Sequence, residues 1–206
     1  ARAARGMDAA LAGTVRVSAP PAFARHVVVP QVARLRRSHP GIVLELNGEQ
    51  GFADLDRRDA DIALRLSRPA SEGLIARKLG ELAFGLFAAP EYLAAHAEAD
   101  WAFIARDGVP APLPQDDWLE GYRRGRPVAF RGNESGMLLA AAEAGVGVAL
   151  LPCFVVPAAT RLVMLPCAEP LPRREIWMAV HDDLRHAPRV RAVIDFLAEV
   201  VAAHAR

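Results

Sequence analysis

Long apolar runs are missing from this 206-residue chain: runs such as residues 146–151 and 154–159 fall far short of the roughly 20 residues that a membrane-spanning helix needs. No element is therefore expected to cross a bilayer. Residues 2–12 carry charges but no apolar core, so they do not read as a secretory signal, and a cytoplasmic location is the simplest expectation. Cysteine is scarce. Cys153 and Cys167 stand 14 positions apart without CxxC spacing, which argues against a zinc knuckle or a disulfide framework and for buried free thiols. Charge of one sign is also lacking: 25 basic residues meet 24 acidic ones, a net +1, with no surplus to neutralise a row of phosphates. These residues alone are expected to bind DNA poorly. There is no phosphate-binding GxxxxGK[ST], no HExxH, no internal repeat and no low-complexity tract beyond alanine-rich termini.

Apolar residues make up 52% of the chain, enough for a substantial core. Residues 14–18 alternate as a half-buried strand, and Pro20 and Pro21 stop it. A helix over 22–38 follows, with Val28, Val32 and Leu35 inward and Arg34, Arg36 and Arg37 outward, ended by His39, Pro40 and Gly41. A strand at 42–46, a loop at 48–51, a short helix at 54–58 and a strand at 61–66 complete a β-α-β-α-β series, the mark of a parallel sheet covered by helices. Next come a strand at 79–89 and a helix at 90–96. The stretch 97–126 reads as irregular, because Pro110, Pro112 and Pro114 interrupt it and Trp101 and Trp118 mark only local packing. Order returns with a strand at 127–131, a turn at 132–135, a helix at 136–144 stopped by Gly145 and a buried strand at 146–151. A short helix to 159 and strands at 162–165 and 175–180 follow. The final helix, 188–203, shows one stripe of Val190, Val193, Ile194, Leu197, Val200 and Val201.

Several motifs in fixed order resemble the effector-binding domain of LysR-type bacterial transcription regulators. They are GTVRVSAP at 13–20 with RSHPGIVLEL at 37–46, DADIALRL at 59–66, FGLFAAPEYL at 84–93, AAAEAGVGVALLP at 140–152 and RVRAVIDFL at 189–197. The resemblance implies an α/β fold of the type II periplasmic-binding-protein kind: two Rossmann-like lobes joined by two crossover strands, with a ligand cleft between them. Lobe I would hold residues 13–86 and 179–206, lobe II residues 87–178, and residues 1–12 would be the remnant of a linker helix. A winged helix-turn-helix would precede that linker, so DNA binding would belong to a part outside these residues. A homodimer pairing residues 23–38 with 136–145 of a second copy is implied, with a tetramer for the full-length protein. Some relatives sense peroxide through a cysteine pair, which the spacing here does not favour. The alternative is a periplasmic solute-binding protein of the same architecture.

The resemblance places a small-molecule effector, a carboxylate or an aromatic, against the expected helix starts after 18–21 and 133–135, where free N–H groups and dipoles suit an anion. Pro20 and Pro21 remove donors from the first, which shifts the expected polar contacts to Asn133, Ser135 and the amides there. Ala19, Pro20, Pro21 and Phe23 would contact the apolar body, Ser18, Ala88 and Glu134 would also belong to the effector site, and the effector would be bulkier or less charged than a small dicarboxylate. Asn133 as a turn residue and Ser135 as a helix cap remain open alternatives. Arg65 ends a strand at the carboxyl edge of the sheet and could pair with a carboxylate, or serve as a surface ion pair. Glu49 and Gln50 could meet a hydroxyl or an amine, or be solvated loop residues. HDDLRH at 181–186 reads as a turn before it reads as a metal site. GVGVAL at 145–150 follows a helix instead of opening one, so it is a helix stop and not a dinucleotide fingerprint. GNESG at 132–136 lacks the spacing of a nucleophile elbow. No catalysis, no metal and no cofactor are expected.

Overall fold

A computed structural model describes residues 11–48, 60–69, 73–107 and 112–204. The chain divides into two compact units, residues 1–81 with 174–206 and residues 82–173. The expected lobe boundaries, after 86 and after 178, stand slightly further along the chain than these.

In the first unit, β1 (Gly13–Ala19) pairs in parallel with β2 (Ile42–Gly48) and with β3 (Ile62–Arg65). β4 (Leu74–Ala88) begins here, and β9 (Arg173–His181) returns to pair antiparallel with β3, giving the order β2-β1-β3-β9-β4. Alternation sends Val15, Val17 and Ala19 of β1 into the core, whereas β3 is buried at all four positions, as befits an inner strand covered on both faces. Of the expected loop at 48–51, Gly48 instead ends β2, and residues 49–51 and the expected short helix at 54–58 lie outside the described residues.

The helical segment α1 (residues 21–38) matches its expected span but is not one regular helix. A single α-turn (Pro21–Phe23) leads into a π-helical turn (Ala24–Val28), a 3₁₀ turn (Val29–Gln31) and an α-helix (Val32–Ser38). Pro30, which the heptad-like pattern of valines hides, accounts for this. It has no N–H to donate back one turn, and its ring displaces the preceding carbonyl, so the ladder widens before it: the Val29 amide bonds the Ala24 carbonyl, five residues back. The buried face is Phe23, Ala24, Val27, Val28 and Leu35, and Val32 lies only half inside.

In the second unit, the later part of β4 neighbours β7 (Val148–Pro152), followed by β5 (Phe103–Arg106) and β6 (Val128–Gly132), while β8 (Val163–Met164) pairs with β4. Helix α2 (Pro90–Ala95) follows β4, with Pro90 at its first position, where no N–H is needed. The stretch 97–126 is not irregular as expected. It holds β5 and a ten-residue helix, α3 (Pro114–Arg123). Pro114 starts this helix and does not break it, and Asp116 closes the first turn by accepting the Leu113 amide at 2.7 Å while gripping Arg106 through its Nε at 2.9 Å. Helix α4 (Ser135–Glu143) ends as expected, with Gly145 in the left-handed region at φ 75°. Gly147 has a different reason: a Cβ there would stand 2.5 Å from the Ala102 carbonyl, so the backbones could not approach. The helix expected up to 159 is only a 3₁₀ turn, Cys153–Val155, cut short by Pro157. Both cysteines are free as expected, yet half-buried instead of buried: Cys153 opens the 3₁₀ turn after β7, and Cys167 lies in a loop after β8.

The last helix, α5 (Pro188–His204), covers the first unit with Val190, Val193, Phe196, Leu197, Val200 and Val201. Phe196 is buried where the sequence pattern names Ile194, which lies half inside. No described helix is long and apolar enough to cross a membrane.

Candidate functional site

Ser18 and Arg65 are the two buried polar side chains among the described residues, 3% and 6% exposed, and they touch. Register explains the meeting. Ser18 pairs with Ala63 across β1 and β3, so Arg65, two residues on, shares its face of the sheet. Both stand at the carboxyl ends of parallel strands, the edge at which open α/β sheets bind ligands. Arg65 donates from one terminal nitrogen to the Ser18 hydroxyl at 3.0 Å and from the other to the carbonyls of Leu64 at 2.7 Å and Ser18 at 3.3 Å. Burying a guanidinium costs several kcal/mol unless it is hydrogen-bonded, and these bonds offset that cost. Arginine only donates, so the Ser18 oxygen is the acceptor in this pair and its own proton is a donor.

Two neighbours escaped sequence reasoning. Asn47 pairs with Ser18 across β1 and β2, and Trp177 pairs with Arg65 across β3 and β9, so all four residues share one face. An asparagine inside a strand, where the type is depleted, was the available sign. Trp177 donates to Glu175 at 2.8 Å, and Arg68 stacks 5.6 Å from its ring centre. The Lys78 ammonium, and after it the Trp177 N–H, hold the Glu175 carboxyl below its ordinary range, and Lys78 is raised in turn.

The remaining expected residues are distributed as follows. Ala19 ends β1 and is buried, Pro20 is extended, and Pro21 opens α1 against Gly48, where a Cβ would meet the proline at 3.3 Å. Phe23 is wholly buried in the core. Glu49 and Gln50 lie outside the described residues. On the second unit, Ala88 is buried at the end of β4 beside Val163. Asn133 is exposed, Glu134 takes the cap position of α4, and Ser135 is its first helical residue. The Glu134 carbonyl accepts the Met137 amide at 3.0 Å, and its carboxylate folds over Gly136, where a Cβ would stand 2.8 Å from it. The run at 181–186 is a turn, in which Arg185 pairs with Asp182 at 2.8 Å.

Residues 8–202 match the family described as the LysR substrate binding domain. The chain belongs to that family. Among curated LysR-type relatives it is 30% identical to the Mau operon transcriptional activator of Paracoccus denitrificans over 190 residues, covering 88% of this chain and 62% of that protein. It is 28% identical to the HTH-type transcriptional regulator CrgA of Neisseria meningitidis over 199 residues, 91% of this chain and 67% of the relative. The chain thus spans about two thirds or less of these regulators' length. The regulatory domain of CrgA superposes with a TM-score of 0.74 at 25% identity, covering 91% of this chain and 98% of that one. The effector domain of AmpR from Pseudomonas aeruginosa gives 0.73 at 24% identity, over 94% and 98%, a likeness of fold. This LysR domain therefore has the type II periplasmic-binding-like fold that its motifs imply.

Proposed function

We propose that this LysR-type effector-binding domain holds a small molecule at the Ser18–Arg65 face and passes its occupancy to the rest of a DNA-binding regulator without catalysing a reaction. The buried Ser18–Arg65 pair carries the reading: two buried polar groups at a sheet's carboxyl edge, one of them cationic. The Ser18 proton and the guanidinium both donate, so the effector they fit presents an acceptor, a carboxylate or a carbonyl. Trp177, on the same face, suits a flat apolar body. Ala19, Pro20, Pro21, Glu49, Gln50, Ala88, Asn133, Glu134 and Ser135 remain contributors under this reading on the strength of the family resemblance. Phe23 supports the site from within the core.

DNA binding resides, in this reading, in a helix-turn-helix domain outside these residues, and the protein works in the cytoplasm as a homodimer or a tetramer of such subunits. Two exposed apolar side chains support the pairing: Val29 on α1 and Met137 on α4, 53% and 50% exposed, on the two segments the resemblance assigns to contact. Occupancy would act by shifting the populations of subunit arrangements.

A thermal-shift screen of small carboxylic acids, aromatics and amino acids tests the site. A ligand at a hundredfold excess over its Kd adds about 2.7 kcal/mol to native stability, and for this size each kcal/mol raises Tm by about 2–4 °C. At least one acceptor-bearing compound should do so in the wild type and much less in Ser18→Ala. A hit that stabilises Ser18→Ala and Arg65→Lys as well as the wild type would contradict the proposal.

A further inference from the structure

A groove of about 450 Å³ opens on the first unit where the C-terminal end of α1 and the start of α5 diverge, a volume within the range of small-ligand pockets. Its floor is apolar, formed by Leu35 and Phe196. Arg34 crosses it, stacking 5.3 Å from the Phe196 ring centre and donating from one terminal nitrogen to Glu199 at 2.6 Å. That bond occupies one edge of the guanidinium. On the other edge, Nε is shielded from solvent and has no acceptor among the described residues. A buried donor left unmatched is unusual in native proteins and is relieved by an acceptor brought from outside. Arg191, exposed on the first turns of α5, lines the same groove together with His39 and His186. With Glu199 engaged by Arg34, Asp195 is the remaining carboxylate of the lining. Two arginines and two carboxylates thus line the groove, and the donor left without an acceptor among the described residues belongs to an arginine. The positive end of α5 points the same way, since Pro188, its first residue, also lines the groove.

We infer that this groove is a second small-molecule site, separate from the Ser18–Arg65 face, that binds an organic monoanion: its carboxylate on the free edge of Arg34 and on Arg191, its flat apolar body over Leu35 and Phe196. A carboxylate matches the paired donors of a guanidinium edge. Asp195 sets the limit to one charge, because a second carboxylate on the ligand would stand against it. The site lies on helices, so its occupancy changes the seating of α5 against α1 and need not involve the strand ends that carry Ser18.

Fluorine NMR of para-fluorobenzoate, with neutral para-fluorobenzamide as its control, tests this on the intact 206-residue domain. The acid should broaden in a saturable way at millimolar concentration and the amide should not. Arg34→Lys keeps a cation beside Glu199 but loses the guanidinium edge, and should weaken binding about fivefold or more. Arg191→Gln, at an exposed position without a fold role, should weaken it similarly, and thermal unfolding checks that both variants fold. Ser18→Ala should leave this binding unchanged, which separates it from the effector proposal. No broadening, equal broadening by the amide, full binding in both arginine variants, or loss in Ser18→Ala would each overturn the inference.

Discussion

Ser18 shows how a residue's chemistry depends on its partner. In an unstructured chain its hydroxyl donates or accepts freely; beside Arg65, which has protons and no lone pair to offer, it accepts from the guanidinium and its own proton remains a donor. Both residues were legible in the sequence as site candidates, from their places at strand ends. That they bond each other was not, because the register of β1 against β3 is a tertiary fact. Cys153 makes a second point at this scale. Burial pushes its thiol above the ordinary range, with Arg173 opposing weakly. The thiolate is the reactive form, so Cys153 should be alkylated by iodoacetamide at pH 8 more slowly than free cysteine, by about threefold or more. Labelling followed by peptide mass analysis reads this directly, and a rate equal to that of the free amino acid would contradict it.

Among the elements, α1 and α3 differ most from their sequence patterns, and in both a proline is the reason. The apolar spacing of α1 gives its span correctly, but periodicity reports which face is buried and says nothing of hydrogen-bond register, so the π-helical and 3₁₀ turns around Pro30 were invisible to it. In 97–126 three closely spaced prolines read as breakers, yet one of them sits at a helix start, where its missing N–H is no loss. Asp116 is the residue that fixes α3, through two bonds to Arg106 and one to the Leu113 amide, with both side chains less than one-fifth exposed. Asp116→Ala should therefore cost about 2–3 kcal/mol in chemical denaturation, more than an exposed ion pair is worth. Lys78–Glu175 is such an exposed pair, and Glu175→Gln should leave the denaturation midpoint close to that of the wild type. The Glu175 carboxyl is lowered in the folded state, so what stability its charge adds is present above its unfolded pKa and is lost as pH falls through the lower folded value.

For the whole molecule, the βαβ alternation and the ordered motifs were enough to give the fold, because each inner strand and covering helix leaves an apolar pattern of its own period. The proposed site was harder to read because its residues stand on strands distant in sequence, β1, β2, β3 and β9, and Asn47 and Trp177 join that face only through strand register. Assembly is testable at the same scale. Light scattering should find a dimer, and Val29→Asp or Met137→Asp should shift it towards monomer, since a charge replaces an exposed apolar contact on α1 or α4; dimers unchanged in both would place the interface elsewhere. The most direct test of the account is calorimetric titration of an effector found by thermal shift into wild type and Ser18→Ala. Loss of one hydrogen bond to a charged acceptor, about 1.5–3 kcal/mol, predicts an affinity weaker by about tenfold or more. Equal affinity in the two proteins would contradict the assignment of Ser18 and Arg65 as the residues that hold the effector.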